Sequence, residues 1–185
     1  MNTTSQFILT CLYVMLPGAL ANMMPVFVRK INFLNVSIDF DKKWFDKKPI
    51  FGDHKTYRGF FFGILAAIIV AYFQSILYKT NSFFQQISFF NYNETSFLIV
   101  GSMIGFGVLF GDLVKSFFKR RMNIKSGDSF FPWDQLDLVI GAIIFISIIQ
   151  IPPWKMILFS LIAAPFFHIL FNHMGYWLGI KEAKW

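Results

Sequence analysis

The chain has 185 residues, 56% of them apolar and 20% aromatic, with 17 lysines and arginines against 10 acids for a net charge of +7. A mean hydropathy of +0.55 excludes an ordinary soluble domain, and basic excess in such a chain points to cytoplasmic loops and anionic headgroups rather than to nucleic acid. The single cysteine, Cys11, excludes an internal disulfide and a structural zinc site and sits in an apolar run, lipid-facing or packed.

Five stretches are apolar enough to cross a bilayer as helices, which takes about 20 residues. The first, Phe7 to Phe27, lacks a basic leading segment and runs on too long for a signal peptide, so it reads as a retained span. Arg29 to Arg58 is a basic loop carrying Arg29, Lys30, Lys42, Lys43, Lys47, Lys48, Lys55 and Arg58. The second span, Gly59 to Leu77, has no charge, and the stretch "KTNSFFQQISFFNYNET" behind it reads as a loop. The third begins near Phe97 and runs through Asp112 toward Phe118. A second basic connection follows with Lys115, Lys119, Arg120, Arg121 and Lys125. The fourth span is Leu136 to Ile151 and the fifth Trp154 to Leu178, with Pro152 and Pro153 making a tight turn between them. The expected fold is therefore all-α, a polytopic membrane protein of about five transmembrane helices with a cytoplasm-facing polar site. The whole chain, 1–185, reads as one membrane-embedded domain.

Only Lys79 and Lys155 lie on the side opposite the two basic loops. The positive-inside rule then places both loops and the C-terminus in the cytoplasm of a cell-membrane protein and the N-terminus outside. Lysines at membrane boundaries are commonly no more than orientation signals. The acids break that reading, because Asp39, Asp41, Asp46, Asp53, Asp112, Asp128, Asp134 and Asp137 share the same side and orientation does not require them. Carboxylates beside cations at the cytoplasmic boundary fit a site that holds metal ions and phosphates together.

Spacing singles out particular residues. Asp112, Lys115, Ser116 and Lys119 fall at i, i+3, i+4 and i+7, one wholly polar helix face, and an aspartate that deep should face the bundle interior or a water-filled cavity. Asp134 and Asp137 are three apart behind Pro132, so their carboxylates point the same way and can bracket Mg²⁺; the plainer alternative is a helix cap with a solvated acid. In the first loop, "GDHKTYRG" offers Asp53, Lys55, Thr56 and Arg58 between glycines but lacks the spacing of a Walker A loop. His168 and His173, five apart, share no helix face as a zinc pair would, and His54 beside Asp53 reads as solvated.

The segment "SFFKRRMNIKSGDSFFPWDQLD" resembles the membrane cytidylyltransferases that make CDP-activated lipids. Four blocks in order, "LPGALANMMPVF", "IDFDKKWFDKKPIFGDHKTYRGFFFG", "GDLVKSFFKRR" with "DQLD", and "HILFNHMGYWLGIKEAKW", resemble the CDP-archaeol synthase branch. Bacterial CDP-diacylglycerol synthases, the alternative, usually carry a His-Gly-Gly where this chain has "FPWDQLD". The resemblance implies cytidylyl transfer from CTP to a membrane lipid phosphate with Mg²⁺ as cofactor. It implies Asp112, Asp134 and Asp137 as metal ligands, with Lys115 beside them as catalytic. Phosphate and substrate contacts would come from Lys55, Arg58, Ser116, Lys119, Arg120, Arg121 and Lys125, with Asp53 and Thr56. Asn22 and Asn172 are marked as buried amides, for which interhelical hydrogen bonding is the alternative. No obligatory protein partner is expected. A transporter would place ionisable groups near mid-membrane in several spans, and a scaffold would not need aligned aspartates.

Overall fold

The computed structural model describes residues 3–125 and 128–177; for residues 168, 171, 172 and 174–176 it describes the backbone alone. Six helices follow in order: α1 (Thr3–Phe27), α2 (Tyr57–Thr80), α3 (Ser82–Ile87), α4 (Phe97–Arg121), α5 (Trp133–Ile149) and α6 (Trp154–Trp177). Among the described residues there is no strand, only two isolated bridges, Ser37 with Thr56 and Lys43 with Pro49. The protein is an all-α polytopic membrane protein. The run Thr3–Lys30, α2 and α4 are each long and apolar enough to cross a bilayer. The 17 residues of α5 rise only about 25 Å, and the 24 of α6 about 36 Å.

Caps in the sequence set the helix ends. The Thr56 hydroxyl accepts the Gly59 N–H at 3.2 Å to start α2, and Ser96 starts α4 by accepting from Leu98 at 3.3 Å. α5 begins earlier than its apolar run, at Trp133, and stops at Ile149, because Gln150 and Ile151 turn extended ahead of Pro152. The loop expected after α2 contains a helix of its own, α3, which Asn81 caps by accepting from Phe83 at 2.9 Å. At this far end Gln6 donates to the Gln86 carbonyl at 2.9 Å, and Pro153 and Met156 close around the start of α1. The long helices therefore alternate in direction, and the two basic connections meet at the opposite, near end.

Small residues let the backbones approach. Cys11, Pro17, Gly18 and Ala21 form the buried stripe of α1, and Cys11 is fully packed. A Cβ on Gly101 would stand 2.5 Å from the Ile68 Cα, and one on Gly63 would stand 2.9 Å from the Ala21 carbonyl oxygen. These crossings stack α1, α2 and α4 on a core of Ala67, Ala71, Val100, Ile104 and Val108. Deeper polar groups are paired: Gln74 donates to the Tyr13 carbonyl at 2.7 Å and accepts from the Tyr92 hydroxyl at 2.9 Å. The closest backbone contact joins α4 to α5, where a Cβ on Gly111 would overlap the Asp137 carbonyl oxygen and one on Gly141 that of Gly107. Gly111→Ala should therefore destabilise the fold by about 1–3 kcal/mol or more. Gly18→Ala, meeting only the Val108 and Ile104 methyls at 3.0 and 3.4 Å, should cost less. Thermal unfolding in detergent ranks the two, and equal midpoints would show that α4 and α5 need not touch.

Candidate active site

At the near end, the polar face of α4 meets the first turns of α5. Lys115 stands at the centre, its Nζ 3.1 Å from Asp112 Oδ1, 3.2 Å from Asp134 Oδ1 and 2.9 Å from Asp137 Oδ2. Lys55 reaches in from the first loop to pair with the other Asp112 oxygen. Lys119 lies 3.5 Å from Asp134 Oδ1 and donates to the Asp128 carbonyl. The second Asp134 oxygen accepts the Phe130 N–H at 2.6 Å, which ties the start of α5 to the chain before it. Lys119 and Asp137 are buried, and the others are half-buried. The three aspartates and three lysines form one continuous ion-pair network.

A cavity of about 100 Å³ opens beside this network, lined by Phe51, Gly52, His54, Lys55, Lys115, Ser116, Lys119 and Arg120. A space of that kind admits waters or phosphate groups. Four of its eight lining residues are permanently basic, and none is acidic. Its chemistry is that of an anion pocket set against a carboxylate cluster.

The first loop supplies one wall and is itself built on Asp39. That buried carboxylate accepts from the Asp41, Phe51 and Gly52 N–H groups at 3.2, 2.8 and 3.1 Å. Gly52 has φ +96, where L residues strain, and its Cα side faces the Arg120 guanidinium. Arg120 donates to the Phe51 and Ile124 carbonyls at 3.3 and 3.0 Å. Arg121, one position on, turns the other way: its Nε pairs with Asp46 at 2.8 Å, its terminal nitrogen donates to Pro49 at 2.5 Å, and it lies over the Phe117 ring. Lys48 returns a bond to the Arg121 carbonyl at 3.0 Å. The loop is latched to the end of α4.

The structure thus brings together Asp112, Lys115, Ser116, Lys119, Arg120, Asp134, Asp137 and Lys55. Other expected residues stand elsewhere. The Thr56 hydroxyl is engaged as the α2 cap, and Arg121 is engaged in the latch. Arg58 is buried, donates to the Ile31 carbonyl at 2.5 Å, and has no hydrogen-bond partner for its Nε among the described residues. Asp53 and Lys125 are exposed. Asn22, expected to be buried, is exposed instead: it shares the helix face of Cys11 and Gly18, but the buried residues of α1 end at Ala21. The Asn172 and His168 side chains lie outside the described residues. His173 bonds its own helix through the Ile169 carbonyl at 2.9 Å. His54 is exposed, as expected of a solvated side chain, and also lines the cavity, and Asp39 stood out only as one acid among eight. Aspartates bond their own backbone two residues on, as Asp39 does with Asp41, and that propensity is the sequence signal for its role.

Whether the carboxylates suit a divalent cation can be judged from their oxygens. Among the described residues no three acids or imidazoles stand close enough together, as they lie, to coordinate one ion. Three of their oxygens nevertheless converge on one positive charge, and Asp137 Oδ1 is buried without a hydrogen bond. An all-oxygen donor set with a spare buried lone pair fits a hard cation such as Mg²⁺.

The profile of the CarS-like family, CDP-archaeol synthase, matches residues 4–185. The chain belongs to the CDP-archaeol synthase family. The CDP-archaeol synthase of Methanocaldococcus jannaschii is 37% identical over 148 residues, 80% of this chain and 82% of that protein. The one from Staphylothermus marinus is 33% identical over 170 residues, covering 90% and 86%. A solved structure described as an intramembrane enzyme for archaeal membrane lipid biosynthesis superposes with a TM-score of 0.64 at 24% identity, over 86% of this chain and 90% of that one. It shares the fold. Family members thus share the length over which the loop, α4 and α5 assemble this site.

Asp39→Ala would strip an acceptor from three backbone donors and should weaken the closed loop by about 1–3 kcal/mol. Trypsin should then cleave faster after Lys42, Lys43 and Lys47, since cleavage follows the population of the opened segment. Unchanged cleavage would mean that the Arg121 latch and the loop's backbone bonds hold it without Asp39.

Proposed function

We propose that the protein transfers a cytidylyl group from CTP to 2,3-di-O-geranylgeranylglyceryl phosphate, giving CDP-archaeol and pyrophosphate. The observation that carries this reading is the basic cavity bordered by three aspartates at the near end of α4 and α5, in a chain of this family. A phosphate oxygen of the lipid attacks the α-phosphorus of CTP, and the bond to the bridging oxygen of pyrophosphate breaks. The attacker is already an anion, so the protein needs no nucleophile of its own. Its work is to place two polyanions in line and to neutralise them.

Lys55, Lys119 and Arg120 hold the triphosphate from three sides of the cavity, and the flexible lysine stems follow the charge as it moves to the leaving pyrophosphate. Ser116, whose hydroxyl donates to the Asp112 carbonyl at 2.8 Å, keeps lone pairs facing the cavity wall. Arg58, at the membrane-side start of α2 and without a carboxylate partner among the described residues, suits the lipid phosphate. Asp112, Asp134 and Asp137 would hold Mg²⁺, which supplies Lewis-acid neutralisation of phosphate charge when bound. The relatives named for archaeol favour an ether lipid over the diacyl substrate of the alternative reading. A transporter does not fit, since most of the described charges gather at one membrane end rather than at mid-span.

Purified protein with radiolabelled CTP, Mg²⁺ and the geranylgeranyl ether phosphate should form CDP-lipid; absence of product with that substrate and with phosphatidic acid alike would sink the enzyme reading. Asp112→Asn, Asp134→Asn and Asp137→Asn should each keep the fold yet lose turnover by at least about a hundredfold, because metal stabilisation is worth several kcal/mol. Near-normal rates at limiting Mg²⁺ in both α5 variants would reduce that pair to a helix start.

The charge distribution also supports a cytoplasmic site, with the N-terminus outside and the α6 end inside. Single cysteines at Lys42 and Asn81 in a Cys11→Ala background should label from opposite faces of sealed cells. Labelling of Lys42→Cys from outside would overturn the orientation.

A further inference from the structure

We propose that Lys115 is a resident counter-ion that the incoming divalent cation displaces, so that metal and nucleotide bind as a coupled exchange rather than independently. The proposal rests on Asp112, Asp134 and Asp137 being the cation's ligands, and it concerns what fills their field beforehand. The Lys115 ammonium stands 2.9 to 3.2 Å from one oxygen of each carboxylate. Among the described residues no other cation touches all three: Lys55 pairs with Asp112, and Lys119 with Asp134. Three carboxylates face three ammoniums, and the network is neutral as it stands.

Neutrality has a consequence for each ligand taken singly. A divalent cation added alone must share the carboxylates with an ammonium already between them, which leaves two uncompensated positive charges in a half-buried site. A polyphosphate added alone draws the lysines toward itself and leaves the carboxylates bare; Asp137, with a side chain 4% exposed, pays most for losing its partner. Both penalties vanish when the two ligands arrive together. The cation then takes the carboxylates, including the unbonded Asp137 Oδ1, and the freed ammonium turns to phosphate oxygens.

Lys115 has somewhere to turn. It lines the cavity together with Lys55, Lys119 and Arg120, so its four-carbon stem needs only a rotation to carry the charge from carboxylate to phosphate, and an ammonium does not demand the fixed fork of a guanidinium. Lys119 is less free, because its ammonium also donates to the Asp128 carbonyl. Lys55 touches one acid only. The exchange therefore falls to Lys115, a positioning residue for the cation that becomes a phosphate contact once displaced.

The test uses the full-length protein in detergent and Mn²⁺ as the probe, followed by electron paramagnetic resonance with no lipid substrate present. Wild-type protein should retain Mn²⁺ weakly alone and about tenfold or more tightly with CTP, within the usual range of coupling between sites. Lys115→Gln should retain Mn²⁺ alone about tenfold more tightly than wild type, and CTP should add about threefold or less. Lys115→Arg should stay near wild type without CTP. Should Lys115→Gln unfold readily, its thermal midpoint in EDTA falls, and Mn²⁺ should raise that midpoint by more than it does in wild type. Equal Mn²⁺ retention by Lys115→Gln and wild type, an equal gain from CTP in both, or equal midpoint shifts would overturn the exchange while leaving the metal ligands in place. Retention by Asp137→Asn that matched wild type would overturn the ligand set itself and the exchange with it.

Discussion

The backbones of α4 and α5 nearly touch at Gly107, Gly111, Asp137 and Gly141, and that contact sets the α5 carboxylates of Asp134 and Asp137 3.2 and 2.9 Å from the Lys115 ammonium of α4. The same residue, Asp137, gives its carbonyl to that contact and its carboxylate to Lys115. Packing and site geometry are therefore one constraint. A larger residue at Gly111 would push α5 outward, and the distances from Lys115 to Asp134 and Asp137 would lengthen with it. The short length of α5 fits this arrangement, since its first turns serve the site and only the remainder faces lipid.

A second constraint comes from the loop between α1 and α2. The loop has no strand or helix beyond the turn at Val28–Lys30 and only two isolated bridges, so side chains join a few backbone bonds in fixing its shape. Asp39 gathers its own turns, and Arg121 with Lys48 ties them to α4. Two arginines adjacent in sequence divide the labour because successive helical residues point about 100° apart. Arg120 remains at the cavity while Arg121 fastens its wall. Lys55 reaches Asp112 only because the loop is held there, 57 residues away in the chain.

What the sequence disclosed follows the range of the forces involved. Apolar runs of bilayer length identified the five long helices, since hydrocarbon forces every span to satisfy its own backbone. Helical spacing identified the shared face of Asp112, Lys115, Ser116 and Lys119, and the pairing of Asp134 with Asp137. Spacing cannot say which neighbour a face meets. For that reason Thr56 and Arg121, credible phosphate contacts by composition, turn out to be committed to a cap and a latch. Asn22 was misjudged because helical spacing puts it on the face of Cys11 and Gly18 but does not show that the buried part of that face ends at Ala21. α3 escaped notice because six residues capped by Asn81 carry too little periodicity to stand out from a loop.

The mixed signs at the near end also bear on how the site survives without its substrates. Three carboxylates held together at a membrane boundary, with nothing between them, would repel one another in a poorly hydrated setting and either take up protons or push α4 from α5. An all-basic pocket would have the converse difficulty. Interleaving the two lets each set stabilise the other, and the ion pairs add to the Gly111–Asp137 contact rather than opposing it. The lysines are the suitable cations for this role. A guanidinium fixed in a bidentate pair would hold the carboxylates more firmly and release them less readily, and the arginines of α4 are placed outside the carboxylate cluster, on the cavity rim and in the loop latch. Within the carboxylate cluster the cations are therefore lysines, whose partner can change, while Arg121 fastens the wall.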